Sequence, residues 1–114
     1  MTDFNQVILD AALAAGAAAH RNAVPEPMTV VGGDKSYFVS EGMCGFSWVK
    51  LKGNTPFGRY CKKVGVARPA YGGGLRISYP FPSQSYDRGQ AWAFAFSDVL
   101  KANDVFAYAD GRLD

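Results

Sequence analysis

Apolar residues recur along this chain with two periods, and the places where the period changes divide it into elements. Phe4, Val7, Ile8, Ala11, Ala15 and Ala18 recur at helical spacing and predict a helix from Asp3 to about Arg21. Asp3 can accept from a first-turn N–H, and Gln6 can reach back toward it. The alanines make a thin face, suited to close approach by a sheet or by a second copy of the helix. Pro25-Glu26-Pro27 ends the helix, because neither proline continues it and each drives its predecessor toward extended geometry. Met28 to Val31 and Ser36 to Ser40, separated by Gly32-Gly33-Asp34, read as a short hairpin or as an irregular loop across one end of a sheet.

The most distinctive stretch is Met43 to Lys52, dense in aromatic and branched residues, and it reads as the central strand. Its alternation places Cys44, Phe46, Trp48 and Lys50 on one side and Met43, Gly45, Ser47, Val49 and Leu51 on the other. Both sides carry apolar groups, so the expectation is a strand covered on each face, with Cys44, Phe46 and Trp48 at the packed centre. Thr55 is then a natural N-cap and Pro56 a first helical residue. Phe57, Tyr60, Cys61 and Val64 form the inner side of this short helix, with Arg59, Lys62 and Lys63 outward and Gly65 as its stop.

Residues 68–74, rich in glycine, read as a loop. Leu75 to Tyr79 is a strand with Leu75, Ile77 and Tyr79 on one face. After Pro80-Phe81-Pro82, Ser83 or Ser85 caps a long helix to about Ala102, its inner stripe being Ala91, Trp92, Ala95, Phe96, Val99 and Leu100. Asn103-Asp104 breaks it, with Asn103 suited to a left-handed cap, and Val105 to Ala109 is a last strand. The fold class expected is α/β (or α+β) in one domain of 114 residues. It comprises an N-terminal helix (1–24), a loop or short hairpin (25–42) and a β-α-β-α-β core (43–114). Strands joined through helices are expected to lie parallel, with the two later helices on one face and the first helix on the other or in a dimer contact.

Composition narrows the chemistry more than it changes the fold. Hydrophobic residues are 48% and charged residues 19%, the balance of a folded chain. No apolar run approaches the roughly 20 residues that span a bilayer, and no basic segment precedes the alanine-rich start, so neither a membrane span nor a secretory signal is expected. Cys44 and Cys61 are too few for a disulfide scaffold and lie in no zinc-binding spacing; both fit reduced thiols in a cytosol. No metal and no cofactor is called for. A hydrolase would have to pair Cys44 or Cys61 with His20, the only histidine, and neither cysteine stands in a nucleophile signature. His20 itself reads as a cap at a helix C-terminus. Gly72-Gly73-Gly74 precedes a strand, whereas phosphate loops follow one and open a helix. Asn54 and Thr55 do follow a strand and open a helix, and form a candidate anion or ligand site.

The strongest asymmetry is in charge. Between Gly42 and Tyr86 there is no Asp or Glu, while Lys50, Lys52, Arg59, Lys62, Lys63, Arg68 and Arg76 give that block +7; the flanks carry −5, for a net of +2. Aromatic residues interleave the block, and charge for phosphates with rings for bases is the composition of a single-strand nucleic-acid surface. The candidate binding set is therefore those seven cations and Tyr71, facing nucleic acid or an acidic host protein. The alternative is a small enzyme or ligand-binding protein with a pocket at the C-terminal ends of the strands, near Asn54, Tyr79 and Asp110.

Cys44-Gly45-Phe46-Ser47-Trp48-Val49, the helix opened by Gly53-Asn54-Thr55, Tyr71-Gly72-Gly73 before a strand, and the ending Ala107-Tyr108-Ala109-Asp110-Gly111-Arg112-Leu113-Asp114 resemble a group of small uncharacterised proteins encoded by tailed bacteriophages. The resemblance spans about residues 42–114. It implies a bacterial cytosol during infection and a small accessory protein rather than a metabolic enzyme, and it assigns no activity to any residue.

Overall fold

The computed structural model describes residues 3–25, 28–32, 35–39, 43–70 and 72–113, with 28–32 and 35–39 described by backbone alone. The first helix, α1 (Phe4–Asn22), starts where Asp3 accepts from the Asn5 N–H at 2.8 Å. Gln6 does not close a capping box as expected. Its amide donates to Asp10 at 2.7 Å, and its carbonyl accepts from the Tyr60 hydroxyl. Of the two readings for the next segment, the hairpin is the one adopted: β1 (Met28–Gly32) and β2 (Lys35–Val39) pair antiparallel as a sheet of their own.

The chain then forms β3 (Gly45–Leu51), α2 (Pro56–Lys63), β4 (Arg68–Pro69), β5 (Leu75–Ser78), α3 (Tyr86–Ala102) and β6 (Ala107–Leu113). The sheet order is β4-β5-β3-β6, so β3 is central as expected. The class is α+β, with every neighbouring pair antiparallel. Two expectations change here. Residues 68–69 form a short strand inside what reads as a loop, and the β4–β5 reversal returns the chain so that β5 runs against β3. Ala70 donates to the Gly74 carbonyl at 3.0 Å across that reversal, and Gly72, Gly73 and Gly74 all hold positive φ, a run that only glycine adopts cheaply. The crossover rule still applies one strand further out: β5 and β6 both oppose β3, so they are parallel to each other, joined by α3 across the central strand.

All three helices stand on one side of the sheet. One core joins Leu9 and Ala12 of α1, Phe57 and Cys61 of α2, and Trp92, Phe96 and Leu100 of α3 to Val49, Leu51, Leu75, Ile77 and Ala107 of the strands. Helix α3 lies on β3 and β6, and α1 packs against α3 rather than on the opposite face. Gly16 makes that approach close: a Cβ at this position would lie 2.6 Å from the Trp92 indole. The C-terminal end of α1 is tied down by Arg88, which donates to the His20 and Ala23 carbonyls, both at 3.1 Å.

The one-sided core reverses the expectation for β3. Ser47, Val49 and Leu51 point inward; Phe46 is 51% exposed, Trp48 is half-buried and Cys44 is exposed. Alternation identifies the two faces correctly but cannot say which is covered. A serine inside and two aromatics outside invert the usual choice. Ser47 is tolerated inside because it accepts from the Gln90 amide at 3.0 Å.

Local terminations follow from the sequence with one exchange of roles. Thr55 accepts from the Gly58 N–H at 3.0 Å and Ser85 from the Arg88 N–H at 3.3 Å, as N-caps. After α3 it is Asp104, not Asn103, that takes the left-handed conformation, with φ 61°. Asn103 instead donates its amide to the Val99 carbonyl at 2.8 Å. The last strand starts later and runs longer than its apolar residues predict, because β3 offers pairing partners from Leu51 as far as Gly45.

Candidate functional site

With the core confined to one side, the other face of the sheet is open, and its occupants follow from register. Along β3 it shows Phe46, Trp48 and Lys50. Opposite them on β6 stand Arg112, Asp110 and Tyr108, and on the β5 side Ser78 faces Trp48 while Arg76 faces Lys50. Arg68 of β4 faces Arg76. Three cations, Arg68, Arg76 and Lys50, therefore stand directly opposite one another across three strands, with Cβ atoms about 5 Å apart at each step. Like charges so placed destabilise a sheet. The one carboxylate in these rows, Asp110, accepts from the Gly111 N–H at 2.8 Å.

Trp48 and Phe46 on this face are each paired with a cation. The Arg76 guanidinium lies 5.5 Å from the centre of the Trp48 ring, and the Arg112 guanidinium 5.2 Å from that of Phe46. At the far end Lys52 lies 5.0 Å from the centre of the Phe106 ring, which meets Tyr108 edge-on at 6.1 Å. Phe106 is 59% exposed and Tyr108 42%, so the face offers rings as well as charges to solvent.

At the Phe46 end the flat face becomes a cleft of about 660 Å³. Its floor includes Phe46, Trp48, Ser78, Arg76 and Arg112, and the segment Tyr79 to Gln84 contributes its wall. That wall is braced from behind. His20 stacks on Phe81 with ring centres 4.0 Å apart and planes 4° from parallel, and its Nδ1 shares a hydrogen bond with the Tyr79 hydroxyl. His20 thus joins the end of α1 to the cleft wall. A second, shallower recess lies at Lys52, Gly53, Asn54 and Gly74.

The structure divides the charge-based candidates. Lys50, Arg68 and Arg76 share the open face, and Lys52 lies just past the end of β3. Arg59, Lys62 and Lys63 are exposed on α2, on the helical side. There Lys62 and Lys63 occupy the last turn, where cations complement the helix dipole, and Arg59 donates to the Asn54 carbonyl at 3.1 Å. Tyr71 lies outside the described residues. Of the proposed anion site, Thr55 is occupied by its own helix, accepting from Gly58 and donating to the Lys52 carbonyl at 3.2 Å. Asn54, Tyr79 and Asp110 do not converge: Asn54 follows the Leu51 end of β3, Asp110 pairs at its middle, and Tyr79 stands in the cleft wall. Antiparallel strands have no common C-terminal end; the recess at the end of β3 takes in Asn54 but neither Tyr79 nor Asp110.

Arg112, Phe46 and Trp48 were outside the charge-based set. Arg112 follows Asp110, beyond the acid-free block, and the two rings read as core. The signal that finds them is the alternation of β6, where Ala107, Ala109 and Gly111 are small while Tyr108, Asp110 and Arg112 are large and polar. That pattern marks a strand with one face exposed.

The two thiols differ in chemistry. Cys61 is fully buried, and burial pushes its pKa up from 9.0 to about 12, so it is a packed, unreactive group. The neighbouring Tyr60 hydroxyl is also raised, first by desolvation and then by the charges of Asp3 and Asp10. Among the described residues no three of His, Cys, Asp and Glu gather as a metal site, and no helix is long and apolar enough to cross a membrane. No protein-family model, curated protein or solved structure matches this chain.

Proposed function

We propose that this is a non-catalytic binding protein whose open sheet face is a platform for an unpaired nucleic-acid strand. The observation that carries the reading is the cation row Arg68, Arg76, Lys50. A sheet gains nothing by placing like charges opposite one another, and the cost is relieved when phosphates lie over them. Aromatic rings on the same face, Trp48 beside Arg76 and Phe46 beside Arg112, supply the surface on which bases stack. Duplex is the poorer fit to this face, since its bases are already stacked and cannot lie on the exposed rings. The cytosol of an infected bacterium is the setting that the phage resemblance implies.

The test is anisotropy of a labelled single-stranded oligonucleotide across a salt series. Four cations, Lys50, Arg68, Arg76 and Arg112, give a log–log slope of about −3, or roughly fiftyfold weaker binding between about 50 and 200 mM salt. Arg76→Glu removes most of the binding, while Lys62→Glu with Lys63→Glu leaves it largely intact. The reverse pattern would move the interface to α2 and favour an acidic protein partner there.

A homodimer through α1 belongs to the same reading. The outer strip of that helix exposes Phe4, Val7, Ala11 and Ala14 at heptad spacing, with Asp3 at one end and Arg21 at the other. An antiparallel pair places Phe4 against the small Ala18 region of the second copy and brings the opposite charges together. Mass in solution by light scattering decides it: a monomer that Phe4→Glu leaves unchanged rules out the pair.

A further inference from the structure

The cleft is built differently from the rest of the open face. The row through Lys50, with Tyr108, Arg76 and Arg68, is cationic, enough to hold a phosphate backbone of any sequence. The Phe46 end has a wall, and the wall is held in place. The Gln84 carbonyl accepts from the Gly45 N–H and the Met43 carbonyl from the Tyr86 N–H, both at 2.9 Å, while His20 stacks behind Phe81. Trp48 faces Ser78 directly across the floor, and Gln84 lines the rim and is exposed. A hydroxyl and a carboxamide both donate and accept, which a phosphate does not require. An aromatic floor with such groups at its edge complements a flat heteroaromatic ring that has a polar rim.

We propose that this cleft is a base-reading subsite, in which one base of the bound strand stacks against Trp48 and presents its hydrogen-bonding edge to Ser78 and Gln84. Arg76, lying over the indole, takes the adjacent phosphate or closes the stack with its guanidinium plane. The inference rests on the platform reading and adds base selectivity to it. The platform alone predicts only the modest preferences that stacking strength and backbone flexibility give, and these do not depend on Ser78 or Gln84.

The experiment compares dA, dC and dT homopolymers on the intact chain. Affinities spread by about tenfold among them, and Ser78→Ala with Gln84→Ala narrows the spread to about twofold while the salt slope stays the same. Stacking is read separately by tryptophan emission. Bound oligonucleotide quenches Trp48, and Trp48→Phe abolishes the quench because the only other tryptophan, Trp92, is 1% exposed. Equal affinities, or a spread that survives in the double variant, overturn the subsite. If salt-dependent binding persists in that case, the platform reading stands without it. If no homopolymer binds at low salt, the platform reading fails and the subsite fails with it.

Discussion

Removing Lys50 should make the protein more stable and a worse binder. Its side chain stands between Arg76 on β5 and Tyr108 on β6, and Arg68 continues the charge row one strand beyond. Two unit charges about 5 Å apart repel by about 0.8 kcal/mol at the dielectric of water, and by more near a protein surface. The Arg76 guanidinium leans over Trp48, which lengthens the separation, and salt screens the remainder. Lys50→Thr removes the repulsion and installs a β-branched residue, so the expected gain is about 0.5–1 kcal/mol. Urea unfolding at low and at high salt is the assay. The wild type gains stability as salt rises, and the variant starts higher and gains less. Lys62→Thr on α2 serves as the control and shows neither effect. In parallel, the variant binds single-stranded oligonucleotide several-fold more weakly, with a salt slope smaller by about 0.7. A Lys50→Thr protein less stable than the wild type at low salt, or equally salt-sensitive, would refute the claim that the row is a cost held for binding.

The Cys61 thiol keeps its proton in the folded state to about pH 12, whereas the unfolded chain releases it near 9.0. Its stabilising contribution is therefore whole below pH 9 and falls by about 1.4 kcal/mol per unit above it. Urea midpoints for wild type and Cys61→Ala should converge between pH 9 and 11, and parallel curves would show that the thiol is not desolvated. Thiol labelling of the native protein at neutral pH should modify Cys44 quickly and Cys61 only on unfolding. Gly89→Ala puts a Cβ 2.5 Å from the Ser47 hydroxyl oxygen and separates α3 from β3. Thermal unfolding should register a loss of about 1–3 kcal/mol despite alanine's better helix propensity. Phe96→Ala, at a fully buried ring packed on Trp92, should cost about 3–5 kcal/mol, and a loss under 1 would mean the core is not centred there.

Elements were legible in this chain wherever a cap or a period announced them. Asp3, Thr55 and Ser85 start helices as their side chains dictate, and β3 is central. Strand direction was not legible, because it turned on Arg68-Pro69, two exposed residues that pattern as loop and pair as strand only through their neighbours. Nor was the covered side of β3, since Ser47 lies inside only by virtue of Gln90, forty-three positions away. The site suffered from the same gap. Charge counted along the chain grouped Lys50 with Lys62 and Lys63, which the fold places on opposite sides of the sheet, and left out Arg112, which register returns to Phe46. Linear composition reported the right ingredients. Only cross-strand pairing could say which of them meet.

Segregating all the helices to one side also separates two kinds of selection. Substitutions at Leu9, Val49, Trp92 or Phe96 are judged by whether the chain folds. Those at Phe46, Trp48, Lys50, Arg76 and Arg112 are judged chiefly by what the chain holds, because none of them belongs to the buried core. A lineage carrying this scaffold is free to exchange its ligand by rewriting one exposed row at a time, with the buried core intact at each step. The open face is in that sense the evolvable half of the molecule.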